Sequence, residues 1–205
     1  MNDIAQRSPE WFAARLGIAT ASRFAAVLAK IKTGEAAERR NYRAQLVVER
    51  LTGKPVEMYQ NAAMQHGTDQ EPFARMAFAA KSNAIVEEVG FLRHADIEAG
   101  CSPDGLVDED GMIEIKCPFQ TAIHIETLKC GMPKEHIPQV QGQMWIAGRA
   151  WVDFISFDPR LPDKLQIFVQ RIPRDDEYIA NLSKEVAAFM EEVKAEESQL
   201  LKLAA

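Results

Sequence analysis

The fold is decided by the stretch SPDGLVDEDGMIEIK, which runs from Ser102 to Lys116. Asp110-Gly111 stands between two short runs of alternating character, and this pattern predicts a β-hairpin. Because side chains alternate along a strand, Glu114 and Lys116 lie on one face of the second strand, together with Met112. The isoleucines between them point to the opposite face.

The register of this hairpin depends on its loop length. A two-residue loop would set Asp104 opposite Cys117, and a four-residue loop would set it opposite Ile115. Either register brings Asp104 beside Glu114 and Lys116. The predicted cluster of two carboxylates and one ammonium group therefore does not depend on the turn type.

This combination is typical of metal-assisted hydrolysis of a phosphodiester. Mg²⁺ prefers hard oxygen ligands, usually one or two carboxylates completed by waters and substrate phosphate. Asp104 and Glu114 would supply the carboxylates, and the Ile115 carbonyl is a further candidate ligand. Lys116 would orient the attacking water or stabilise charge developing at phosphorus. The alternative is a solvent-facing strand on which Glu and Lys merely alternate; Pro103-Asp104 at hairpin spacing favours the metal site.

The remaining sequence predicts one domain, residues 1–205, of α/β class with a mixed central sheet flanked by helices. No internal repeat or Pro/Gly/Ser-rich linker divides it. Helices are predicted from Ser8-Pro9 to near Gly17, from Thr20 to about Lys30, at 36–52 up to Gly53, at 68–81, 121–129 and 137–147, and from Asp175 onward. Strands are predicted at 84–89, 90–93, 104–107, 112–116, 150–157 and 164–171.

Composition is ordinary for a globular protein, with 47% hydrophobic and 26% charged residues. No apolar run reaches the roughly 20 residues of a membrane span, and the N-terminus lacks a signal-peptide pattern, so a cytoplasmic protein is expected. The three cysteines have no CxxC spacing and indicate free thiols. The net charge of −6 argues against a generally basic surface for nucleic acid, although residues 185–197 concentrate much of the acidity in one solvated helix face.

SPDG followed by IEIKCP resembles the PD-(D/E)xK nuclease superfamily, which has a restriction-endonuclease-like core. More narrowly, the chain resembles the lambda exonuclease or YqaJ-type phage recombination nucleases of the RecB-like group. Other segments fit the same family in the same order: Trp11 with RLGIATAS at 15–22, GTDQE at 67–71, and QVQGQMW at 139–145. The likeness extends over residues 8–160. It departs at Trp145, where related nucleases often carry tyrosine.

The resemblance implies further site residues beyond the hairpin. Glu71 would join Asp104, Glu114 and Ile115 at the metal, although an exposed helix glutamate is the ordinary interpretation. A 5′-phosphate and DNA-binding set would comprise Arg15, Ser22, Ser102, Gln139 and Gln141. From the residues alone, Arg15 is a surface ion-pair partner and Ser22 a helix cap.

The activity implied by the family is a Mg²⁺-dependent 5′→3′ exonuclease, with Mn²⁺ as a substitute. It would degrade one strand of linear duplex DNA and leave 3′ single-stranded overhangs for phage recombination. Its expected partners are DNA ends, a single-strand-annealing protein and two further copies in a ring-shaped homotrimer. The alternatives are an endonuclease or Cas4-like nuclease on the same fold, or an inactive DNA-end-binding recombination protein. Three scattered cysteines weaken the Cas4-like alternative.

Overall fold

The computed structural model describes residues 4–56 and 61–204. Within these ranges, no helix is long and apolar enough to cross a membrane. The helices are α1 Pro9–Ala14, α2 Phe24–Val27, α3 Ala37–Thr52, α4 Ala62–Ser82, α5 Thr121–Cys130, α6 Ile137–Ala147 and α7 Asp176–Leu203. The strands are β1 Ala19–Thr20, β2 Val86–Glu87, β3 Leu92–Arg93, β4 Ala99–Cys101, β5 Gly105–Val107, β6 Gly111–Lys116, β7 Trp151–Phe157 and β8 Ile167–Pro173.

The main sheet has the order β2-β5-β6-β7-β8. Strands β6 and β7 are parallel, and the other neighbours are antiparallel, so the predicted mixed sheet is confirmed. The connection between β6 and β7 contains α5 and α6, as a crossover between parallel strands requires. The strand carrying Glu114 and Lys116 therefore lies at the centre of the sheet.

Helices cover both faces of this sheet. Ile113 and Ile115 face α4, where they pack in one cluster with Phe78. On the other face, Met112 packs against Val140 of α6. Alternation along β6 turns Glu114 to the same face as Met112, beneath α6. The alternative of a solvent-facing strand is wrong, because Glu114 is only 3% exposed.

The hairpin loop contains three residues, 108–110, a length that neither predicted register used. Gly105 pairs with Ile113, and continuing this register sets Asp104 opposite Glu114. Asp108, with φ of 49°, takes the left-handed position of the turn, whereas Gly111 begins β6. The register from a two-residue loop was therefore wrong by three residues and that from a four-residue loop by one, but the predicted proximity of Asp104 to Glu114 follows from the observed pairing too.

Glycine is needed at position 111 for packing and not for the turn. A Cβ atom there would lie 2.1 Å from the Trp151 ring on the neighbouring strand, so only glycine admits this close approach. The Trp151 ring in turn supports the Arg171 guanidinium at 3.5 Å. The Asp-Gly pair resembles a turn signal in sequence, but the glycine serves packing between β6 and β7.

A second, smaller sheet has the order β1-β4-β3; β3 lies within the predicted strand 90–93, whereas β1 and β4 were not predicted. Strand β1 pairs in parallel with β4, and β3 pairs antiparallel with β4. Strands β1 and β4 contain two and three residues, too few to show an alternating pattern in sequence. The sheet places Ala19–Thr20 beside the chain that leads into Ser102.

Several predicted element boundaries were also wrong. The helix expected from Thr20 to Lys30 is a short 3-10 turn followed by α2, which ends at Val27. Helix α4 begins at Ala62, six residues before its predicted start, because Asn61 accepts a capping hydrogen bond from Met64 N. Helix α3 does end before Gly53, whose φ of 64° fits the predicted left-handed cap.

Helix α7 packs its apolar side against α3, and its acidic residues pair with arginines of that helix. Arg39 forms two hydrogen bonds with Glu192, at 2.6 and 2.9 Å. Arg43 donates to Glu196 at 2.6 Å. The glutamates of 185–197 are partly solvent-exposed, as predicted, and part of their charge is also neutralised by α3.

Candidate active site

Asp104 lies at the mouth of the hairpin, just before β5. Its carboxylate accepts a 2.6 Å hydrogen bond from Ile115 N, and its own N–H donates to Ile113 O at 3.2 Å. Burial raises the pKa of Asp104 well above its usual value, and the negative charges of Glu114 and Glu71 raise it further. Three acidic side chains therefore share one poorly solvated region.

Glu114 is held by donors on both carboxylate oxygens. Lys116 Nζ and Gln139 Nε2 reach Oε1 at 2.6 and 2.7 Å, and Gln143 Nε2 reaches Oε2 at 2.6 Å. Lys116 also donates to Gln139 Oε1 at 3.1 Å. Burial alone would lower the pKa of Lys116, but the carboxylates of Glu114, Asp104 and Glu71 together outweigh it and raise that pKa. Lys116 is therefore a fixed cation at this site.

Glu71 projects from α4 towards the same region. Its oxygens accept hydrogen bonds from Arg7 at 2.6 Å and Arg75 at 2.7 Å. Arg75 also donates to the Asp104 carbonyl at 3.0 Å, which ties α4 to the hairpin. Glu71 thus lies near Asp104, as its effect on the Asp104 pKa indicates, with its charge balanced by two arginines.

The oxygen donors at this site fit Mg²⁺ by their chemistry. Asp104 and Glu114 are the one or two carboxylates that Mg²⁺ usually takes from a protein. The Ile115 carbonyl points to the same side of β6 as its N–H, which contacts Asp104. Among the described residues, no group of three or more His, Cys, Asp or Glu side chains is placed to hold a metal ion. Mg²⁺ held by the two carboxylates of Asp104 and Glu114 would take its other ligands from water and substrate.

Four residues of the predicted DNA-binding set line one cavity of about 130 Å³. They come from different parts of the chain: Arg15 from the turn after α1, Ser22 from the 3-10 turn after β1, Ser102 from the end of β4, and Gln139 from α6. Trp11 lies in the same wall, where its indole supports Arg15. Sequence positions that are far apart thus meet in a single polar cavity.

Gln141 does not join this cavity, contrary to its predicted role. It is 4% exposed, its Nε2 donates to Pro173 O at 2.9 Å, and its Oε1 accepts from Asp175 N at 2.9 Å. These bonds join α6 to the connection between β8 and α7. Trp145 also lies away from the site, beside His94 with ring centroids 4.7 Å apart.

Gln143 is the site residue that sequence reasoning missed. Gln139 and Gln143 are four positions apart on α6, so both face β6, whereas Gln141 falls on the other side of the helix. This i, i+4 spacing was visible in the sequence and could have identified the pair. The resemblance directed attention to Gln141 instead.

A second cleft of about 510 Å³ adjoins the carboxylates. Glu71, Ile115, Lys116 and His136 are among its lining residues. Because Glu114 bonds to glutamines of the first cavity and to Lys116 of the second, the pair Glu114–Lys116 lies between the two.

Residues 10–150 match the YqaJ-like viral recombinase domain. The chain belongs to this family. No curated protein matches it significantly. The predicted family is thus confirmed by a match that spans the cavity, the hairpin and α6.

Two solved structures of LHK-Exo, an alkaline exonuclease from Laribacter hongkongensis, share 51% sequence identity with the chain. Each match covers 96% of this chain and 98% of the LHK-Exo chain. One is the alkaline exonuclease LHK-Exo in complex with dAMP, with a TM-score of 0.90, and the other is LHK-Exo alone, at 0.89. The structure of a phage-related exonuclease from Haemophilus somnus 129PT matches with 16% sequence identity and a TM-score of 0.68. The match covers 92% of this chain and 96% of the exonuclease chain. This last likeness shows a shared fold.

The loop after β6 is anchored in this YqaJ-like protein by an ion pair between the buried Asp158 and the exposed side chain of Arg160. Asp158 is fully buried, and Arg160 reaches both of its oxygens, at 2.7 and 2.8 Å. The same guanidinium donates to Phe119 O at 2.9 Å and Pro118 O at 3.1 Å. The hydrogen bonds from Arg160 lower the pKa of Asp158 to about 2.

This pair predicts an acid-dependent contribution to stability. A carboxylate whose pKa is lowered in the folded state stabilises that state above its unfolded pKa, and the contribution is lost as pH falls towards the folded value of about 2. We expect the difference in free energy of unfolding between the unmutated protein and Asp158→Asn to be largest above pH ~4 and to shrink towards pH ~2. Urea unfolding at a series of pH values measures it. Asp163→Asn, in an exposed turn nearby, is the control for losing one carboxylate; a difference independent of pH would contradict the assignment.

Proposed function

We propose that the protein is a Mg²⁺-dependent 5′→3′ exonuclease that degrades one strand of linear double-stranded DNA and leaves 3′ single-stranded overhangs for recombination in the cytoplasm. The observation that carries this proposal is the position of the polar cavity. Ser102, in its wall, is separated from Asp104 by a single proline. A cavity suited to a terminal phosphate therefore adjoins the carboxylates suited to hydrolysis.

The spacing between the two sites supports removal of nucleotides from an end. Two residues of extended chain span at most about 7 Å, which is comparable to the distance between neighbouring phosphates of one strand. A 5′-phosphate held by Arg15, Ser22 and Ser102 would place the next phosphate near Asp104 and Glu114. The complex of the 51%-identical LHK-Exo with dAMP, a nucleotide carrying one phosphate, is consistent with such a product.

Each residue has a distinct part in the proposed reaction. Asp104, Glu114, the Ile115 carbonyl and, on the α4 side, Glu71 would hold Mg²⁺. When bound, the metal would polarise the scissile phosphate and lower the pKa of a coordinated water. Lys116, fixed beside Glu114, would orient the attacking water and stabilise charge on the phosphate. Gln139 and Gln143 would keep the Glu114 carboxylate in place.

The alternatives have less support. An endonuclease on the same fold has no need of a terminal-phosphate cavity next to its carboxylates. A Cas4-like enzyme needs clustered cysteines, but Cys101, Cys117 and Cys130 are free thiols on separate elements. An inactive end-binding protein would not need Lys116 bonded to Glu114 with Asp104 close by.

Loss of any one of the three central residues should abolish hydrolysis. We expect Asp104→Ala, Glu114→Ala and Lys116→Ala each to lower the rate on linear duplex with Mg²⁺ by at least about a hundredfold, because metal ligands and lysine act as one unit. Glu109→Ala, which removes an exposed carboxylate from the same hairpin, is the matched control. EDTA should stop the unmutated enzyme, and Ca²⁺ should not replace Mg²⁺ in turnover. Near-normal activity of one variant would remove that residue from the site.

The polarity of digestion can be tested at the DNA end. Duplexes with 5′-phosphate ends should be degraded much faster than duplexes with 5′-hydroxyl ends, because Arg15 can meet a phosphate with charged hydrogen bonds. Arg15→Ala should reduce this preference more than it reduces binding to internal duplex. Arg40→Ala, on the exposed side of α3, is the control for loss of positive charge. Equal rates on both ends in the unmutated protein would exclude the phosphate cavity.

We also propose a ring-shaped homotrimer that acts beside a single-strand-annealing protein. An enclosed channel would let a chain of net charge −6 retain DNA by topology instead of relying on a basic exterior. Light scattering should give three times the mass of one chain, together with processive digestion of long duplexes. A stable monomer that digests processively would contradict the ring.

A further inference from the structure

We propose that Trp11 is a positioning residue that makes Ser102 and Arg15 hydrogen-bond donors to the terminal-phosphate cavity and so favours an end group that only accepts. The proposal rests on the proposed function, because it explains how the 5′-phosphate would be distinguished. Two contacts of the Trp11 side chain carry it: one with Ser102 and one with Arg15.

The first contact fixes the direction of the Ser102 hydroxyl. Trp11 Nε1 donates to Ser102 Oγ at 2.8 Å. An indole N–H donates and never accepts, so Ser102 cannot give its own proton to Trp11. No other residue in the described ranges forms a hydrogen bond with this hydroxyl. The Ser102 proton therefore remains available to a ligand in the cavity.

The second contact orients Arg15. Its guanidinium carbon lies 3.9 Å from the centroid of the Trp11 ring. Stacking on an aromatic face leaves the guanidinium N–H groups, which lie in its own plane, directed past the edge of the ring. A guanidinium has five donors and no acceptor. The edge of the Trp11 indole thus holds the Ser102 hydroxyl through its N–H, and the face of the ring supports the Arg15 guanidinium.

Trp11 is itself held rigidly. It is 8% exposed and packs with Ile18 and Phe91, and its backbone N–H donates to Ser8 Oγ at the start of α1. A side chain fixed in this way can hold two others in place. The helix α1 and the segment leading to Asp104 are therefore coupled through one indole.

The chemical consequence is selection at the DNA end. A fully ionised phosphate has only acceptor oxygens, which match Arg15 and the free proton of Ser102. A 5′-hydroxyl end carries no charge and brings a proton of its own, so it gains less from the same groups. Without the indole N–H, the Ser102 hydroxyl could turn its proton towards other acceptors and the match would weaken.

The test compares digestion of 5′-phosphate and 5′-hydroxyl duplexes by Trp11→Phe, Ser102→Ala and the double variant. Trp11→Phe keeps a ring beneath Arg15 but removes the N–H. We expect the ratio of kcat/KM for phosphate over hydroxyl ends to fall about tenfold, as for a weakened hydrogen bond to a charged group. The rate on hydroxyl ends should fall less than the rate on phosphate ends. The double variant should lose no more of the ratio than the stronger single variant, because both changes act on one hydroxyl.

Controls separate positioning from folding. Trp151→Phe makes the same chemical change in β7, away from the cavity, and should preserve the ratio. If Trp11→Phe is unfolded by circular dichroism, benzothienylalanine at position 11 replaces the N–H with sulfur while keeping the ring shape, and the same fall in ratio is expected. Equal losses on both ends, or additive losses in the double variant, would overturn the positioning role. An unmutated protein with no preference would instead remove the phosphate cavity, and this proposal with it.

Discussion

Burying the Glu114 carboxylate at the centre of the main sheet would cost several kcal/mol if it were left uncompensated. Lys116 and two glutamines of α6 meet both of its oxygens, so the helix is fixed over β6 by polar contacts as well as by apolar packing. The crossover between parallel β6 and β7 supplies this helix. The parallel pairing of β6 and β7 thus supplies the helix whose glutamines compensate the buried charge of Glu114.

Several arginines are likewise paired with glutamates inside the chain. Arg39 and Arg43 of α3 pair with acidic residues of α7, and Arg7 and Arg75 pair with Glu71 near the hairpin. These arginines are engaged within the chain and add little to a general attraction for DNA. In the proposed function, recognition of DNA would thereby be left to local sites such as the cavity at Arg15. A net charge of −6 is compatible with that arrangement.

The cavity and the carboxylates are built from adjoining segments. Pro103 restricts the backbone between Ser102 and Asp104, and Gln6 donates to its carbonyl at 2.8 Å. Strand β1 of the smaller sheet brings Ser22 to the same place, and α1 brings Trp11 and Arg15. The spacing between a terminal phosphate and the scissile phosphate would thus be fixed by short, stiff connections.

The sequence by itself determined the mixed sheet with its flanking helices, the common face of Glu114 and Lys116, and the proximity of Asp104, because side-chain alternation and nearby turns are local properties. It also contained the i, i+4 pair Gln139 and Gln143. Only the tertiary structure decided the three-residue hairpin loop and the place of Gly111 at the start of β6, where it makes room for Trp151. The smaller sheet, the internal role of Gln141 and the pairing of α3 with α7 were likewise decided there. Each depends on contacts between residues far apart in sequence, whose energies no local pattern records.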